Sequence, residues 1–182
     1  NPAADDAVNY GAIGVVISHE MTHGFDDQGR HFDKDGNMTD WWKKEDEETF
    51  RKMTDVLVAQ FDSVYVLPGL RANGALCLGE NIADQGGLRV AYTALQNSFG
   101  GVRPADIDGF TPEQRFYLSY ANIWAMNITD EEKARLTKLD VHSLGENRVN
   151  VTLRNLQTFF DAFGIVEGDP MFRPEEERVV IW

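Results

Sequence analysis

Apolar residues recur along this chain at intervals of three and four, the period of a helix buried on one face. The clearest run lies in 42–65, where Phe50, Met53, Leu57, Phe61 and Val64 share one stripe. Its start, Glu45 to Glu48, is acidic and suits the positive end of a helix dipole. Upstream, the segment near 7–25 carries a dense apolar stretch, Ile13 to Ile17, and Gly29 closes it. Residues 79–98 read as a further helix, in which Gly86-Gly87 calls for a reason such as close packing. Thr111-Pro112 sets a cap before Pro at the first helical position and opens a helix to about Ala125. Thr129-x-x-Glu132 has the form of a capping box for a short helix. Val149, Leu153, Leu156, Phe159, Phe160 and Phe163 predict one last helix over 149–163. Residues 30–40 break the pattern and read as a strand, a turn at Asp35-Gly36-Asn37, and an exit. The apolar tail, Val179 to Trp182, should tuck against the core. The expected fold is mainly α with a small β component, one domain over 1–182.

Composition narrows the setting. With 42% hydrophobic and 26% charged residues, the chain has the make-up of a globular domain. Seventeen Lys and Arg against thirty Asp and Glu give a net charge of −13, which argues against nucleic-acid binding. Cys77 is the one cysteine, so no internal disulfide can form, and a small buried thiol is the expectation. No apolar run reaches the ~18 residues of a membrane span. The first residues are Asn1-Pro2, which reads as a fragment of a longer chain. Asp33, Asp35 and Asn37 have the look of a calcium loop, but the glycine and the closing glutamate are misplaced, so a hairpin turn is expected.

The chemistry concentrates at His19-Glu20-Met21-Thr22-His23. Positions four apart lie on one helix face, so both imidazoles can reach one Zn²⁺ at roughly 2.0–2.1 Å. The glutamate after the first histidine can take a proton from the water that such an ion acidifies. Catalytic zinc sites use three protein ligands. A third histidine six residues on is excluded, because Gly29 stands there. His31, His142 and Glu80 remain as candidates. Glu80 and Asp84 are four apart and share a face, which suits one ligand and one carboxylate that orients a ligand histidine.

Asn9 to Gly14, His19 to His23, Gly24 to Gly29, Asp40-Trp41-Trp42, Gly79 to Asp84, and Asp140 to Ser143 together resemble the neprilysin family of zinc metalloendopeptidases, its bacterial oligopeptidases above all. The likeness runs from near residue 5 to Trp182. It implies a zincin domain of thermolysin-like type with a glutamate as third zinc ligand. His19, His23 and Glu80 would hold one Zn²⁺, and Glu20 would be the general base. Asp84 would accept from His19. His142, supported by Asp140, would donate to the oxyanion, and Arg148 would bind the substrate carbonyl beside the cleaved bond. Val15, Val16, Ile123 and Trp124 would line a pocket for an apolar residue after that bond. Ser18, Leu144 and Val151 depart from the family pattern, which usually has Gly, Pro and Gly there.

The resemblance also implies oligopeptide substrates and a helical N-terminal companion domain that caps the site. An extracytoplasmic setting, periplasmic or anchored through a preceding segment, fits that picture. The rival expectations are a zinc-binding domain inactive in isolation or degenerate, and an acidic calcium-binding or interaction domain.

Overall fold

The stripe of 42–65 folds as α3, Lys44–Asp62, and buries Phe50, Leu57 and Phe61. A computed structural model describes residues 1–182, and helices dominate it. The first segment forms one helical rod in four stretches. These are α1 (Asp6–Asn9), a π turn (Tyr10–Gly14), α2 (Val15–Thr22) and a three-ten turn (His23–Phe25).

The strand expected in 30–40 is reduced to a single bridge between Phe32 and Met38 after a three-ten turn, Gly29–His31. The β component lies instead at β1 (Tyr65–Leu67) and β2 (Leu70–Arg71), an antiparallel ribbon. Gly69 makes its turn possible, because a φ of 77° is open to glycine and strained for other residues.

Helix α4 (Leu78–Ser98) runs through the middle of the molecule. Asn81 to Leu88 are all buried, so no face of that stretch meets water. Two apolar cores flank it. One gathers Leu88, Ala91 and Leu95 with Val15, with α5 (Pro112–Ile123) through Phe116, Tyr117 and Tyr120, and with Phe159 and Phe160. The other joins Ile82 to Phe50, Leu57 and Phe61 of α3 and to Val151, Val179 and Ile181.

Thr111 forms a full capping box with Gln114 at the start of α5. Thr129 makes only half of one at α6 (Asp130–Leu139): its hydroxyl accepts from the Glu132 N–H, without the return bond. The last amphipathic run is not one helix. It divides into α7 (Gly145–Leu153) and α8 (Gln157–Phe163).

Asn155 lies in that break, 2% exposed. Its Oδ1 accepts from Gln60 Nε2, Arg173 Nη1 and the Val179 N–H at 2.9, 3.0 and 3.1 Å. A buried amide with that many partners outweighs the continuation of the stripe. The tail tucks in as expected. Gln85 clasps it, donating to Val179 O at 2.8 Å and accepting from the Ile181 N–H at 2.9 Å.

Candidate metal centre

The seam between α2 and α4 places the chemistry. A Cβ on Gly87 would lie 2.8 Å from His19 N and 3.0 Å from Val15 O, and one on Gly86 would lie 2.6 Å from Thr22 Cγ2. Only the two glycines let the helix backbones approach so closely. That approach sets the buried start of α4 against the His19 and His23 face of α2.

Three donor atoms converge there. His19 Nε2 lies 3.0 Å from His23 Nε2 and 3.1 Å from Glu80 Oε2, and His23 Nε2 lies 3.5 Å from Glu80 Oε1. Donors of a tetrahedral zinc ion with bonds of 2.0–2.1 Å stand roughly 3.3 Å apart. The far nitrogens fix the tautomers. His19 Nδ1 donates to Asp84 Oδ1 at 2.9 Å, and His23 Nδ1 donates to Asp26 Oδ2 at 2.7 Å.

Both Nε2 atoms therefore turn lone pairs toward each other and toward a carboxylate. While the His19 Nε2 carries no proton, Glu80 Oε2 is buried with no hydrogen-bond partner. Three facing lone pairs repel unless a cation sits among them, so the donor set fits one small divalent ion of the zinc type. His19, His23 and Glu80 form the group able to hold a metal; His31 and His142 are not part of it.

Proton and metal compete for these lone pairs. Burial disfavours the imidazolium of His19, yet hydrogen bonds to Asp84 and Glu80 outweigh it and push His19 up to about 9. Burial would raise Glu80, but the hydrogen bond from His19 and the charges of His142, His19 and His23 hold it below the usual carboxylate range.

Around the donors stand the other expected residues. Arg148, on α7, donates from Nε and Nη2 to the two oxygens of Asp84, both at 2.7 Å. Its guanidinium lies 3.8 Å from the centre of the Trp124 ring. Asp84 is 1% exposed and so serves both His19 and Arg148.

His142 Nδ1 donates to Asp140 Oδ1 at 2.8 Å, and its Nε2 lies 3.4 Å from Glu80 Oε2. His142 and Glu20 are both exposed. A cavity of about 270 Å³ at His142 is lined by Trp124, Met126, Leu136, Leu144 and Arg148, among others. Leu144 holds a φ of −55°, a value that proline also adopts, so its replacement of Pro leaves the loop unstrained.

Val15 is 2% exposed and lies in the core with Leu88 and Tyr120. Val16 is half-buried, and Ile123 is 37% exposed. Asp26 has no role in the sequence reading beyond its place in the Gly24 to Gly29 stretch. The signal for it was a carboxylate three residues after a ligand histidine, just past a helix end.

A family model for peptidase family M13 matches residues 1–179. The chain belongs to peptidase family M13. It is 40% identical over 174 residues to a neutral endopeptidase of Lactococcus lactis subsp. lactis, covering 96% of this chain and 26% of the relative. Human endothelin-converting enzyme 1 is 42% identical over 176 residues, covering 95% of this chain and 23% of the relative. A crystal structure of a Mycobacterium tuberculosis zinc metalloprotease with an inhibitor superposes with a TM-score of 0.96 at 41% identity, covering 100% of this chain and 29% of that one. The chain thus spans about a quarter of the length of its M13 relatives.

Proposed function

We propose that this M13 domain is the catalytic part of a zinc endopeptidase that hydrolyses oligopeptides on the amino side of apolar residues. The convergence of His19, His23 and the orphaned Glu80 oxygen carries the reading, since that geometry is satisfied by a cation. When bound, zinc polarises the peptide carbonyl and makes water acidic enough to lose a proton near neutral pH.

This chain's residues do the rest. Glu20, one residue past His19 and open to solvent, accepts the proton from the attacking water and later passes it to the leaving amine. His142, oriented by Asp140, donates a hydrogen bond to the oxygen on which negative charge develops. Arg148, over the Trp124 ring and fastened to Asp84, presents its remaining N–H groups to the neighbouring substrate carbonyl. The cavity between Trp124, Leu136 and Leu144 takes the apolar side chain after the cleaved bond.

The outer face of α2 supports a companion region. Ile13, Ile17, Met21 and Phe25, four apart along the rod, are 55%, 55%, 66% and 48% exposed. A helix apolar on both faces is built to be covered on both. This favours a capping region of the longer chain, and with it the second reading, in which residues 1–182 bind zinc but need that region to cleave peptides. An extracytoplasmic setting remains part of the proposal; no helix here is long and apolar enough to cross a membrane.

Glu20→Gln in the full-length protein is the test. Zinc content should stay at one ion per chain while turnover falls by about 10²–10⁴-fold. Retained zinc with turnover near wild type would overturn the assignment of the base.

A further inference from the structure

The two ligand histidines are held by different means. His19 stands inside α2, its side chain 8% exposed, and the Asp84 that orients it is itself fastened by Arg148. His23 stands one residue past α2, at the start of the three-ten turn, and its side chain is 29% exposed. Backbone at a helix end opens more easily than backbone inside a helix. The ring of His23 is therefore fixed from its far side, by Asp26. That carboxylate is 6% exposed. Its Oδ2 takes the His23 Nδ1 proton at 2.7 Å, and its Oδ1 takes the N–H groups of Gln28 and Gly29 at 2.8 and 2.7 Å.

We propose that Asp26 is a positioning residue for the metal: it clamps His23 and sets how fast the ion leaves, while the Asp84 side is the fixed anchor. The proposal rests on the zinc reading above. It requires a carboxylate, because both oxygens must accept. An asparagine has one accepting oxygen and one amide group that only donates. With its oxygen toward His23, its amide faces the N–H groups of Gln28 and Gly29. Turned the other way, it faces the His23 Nδ1 proton. A released imidazole can swing away, or move its proton to Nε2, where it can no longer bind a cation. Escape then begins at the exposed ligand.

The experiment compares full-length wild type, Asp26→Asn and Asp26→Ser, each loaded with zinc and then challenged with a chromogenic chelator. The serine hydroxyl can still accept from the loop N–H groups but is too short to reach His23, so it preserves the turn should the asparagine variant fail to fold. Both variants should release zinc about 10–100-fold faster than wild type, with affinity lowered to match. Asp26→Glu, which keeps two accepting oxygens, should restore most of the slow release, a rescue that general loss of structure does not produce. A wild type that holds no zinc would overturn the zinc reading itself. A wild type that holds zinc, beside a folded variant that releases it at the same rate, would overturn the role of Asp26 alone.

Discussion

The seam between α2 and α4 and the aromatic core beneath α4 meet along one helix, yet they are built on opposite rules. The core is filled with large apolar side chains: Leu88, Leu95, Phe116, Tyr117 and Tyr120 are all at 2% exposure or less. The seam is emptied at its centre by Gly86 and Gly87, and carries polar groups at its working end, half-buried Glu80 and buried Asp84. Apolar packing is forgiving in detail, since many shapes fill a given volume. The seam depends on an absence of side chain and on hydrogen bonds with fixed partners. Stability should therefore be the quantity that core substitutions move, and metal placement the one that seam substitutions move.

The largest stability effect is expected from the core. Leu95→Ala should cost about 2–5 kcal/mol in denaturant unfolding, with kcat per zinc-loaded molecule unchanged. An equal loss of both would erase the distinction. Gly87→Val should cost about 1–3 kcal/mol, because the added carbons meet the His19 and Val15 backbone. Unlike the core variant, it should weaken zinc binding at least tenfold beyond what unfolding explains, as measured by chelator competition.

The smallest effect is a pH dependence confined to the seam. The metal-free His19 is pushed up to about 9, so below that pH one proton must leave for the ion to bind. Zinc affinity should fall about tenfold for each unit of pH lowered below that value. In the metal-free protein the sign reverses. Protonated His19 lends stability that is complete below its unfolded value of 6.5 and lost as the pH rises through about 9. Leu95→Ala should leave both profiles in place.

The start of α5 was legible from its Thr111-Pro112 cap, and α3 from the apolar period of the one stripe it buries. The same period merged α7 and α8, since the residues on either side of the break are apolar in either arrangement. The break depends on Asn155 finding Gln60, Arg173 and Val179, contacts made only in three dimensions. It also placed the strand in 30–40 rather than at 65–71, where a tight turn at Gly69 pairs two short segments.

The site divides in the same way. His19, Glu20 and His23 fall within five consecutive residues, and the two histidines share one helix face. Glu80 was one of several third ligands until the family resemblance separated them, because nothing local ties it to a histidine 57 residues earlier. Asp26 and the burial of Val15 belong to the folded seam alone.

The π turn at Tyr10–Gly14 has a bearing on how the family can change. Such a turn is one residue longer than the α-helical path it replaces. Across it the partner changes, from α5 for α1 to α4 for α2. Loss of a single residue there would turn everything downstream, the histidine pair included, by about 100° relative to α1. Lineages can vary the residues of this turn, but a change in their number would carry the whole metal site out of register with α4.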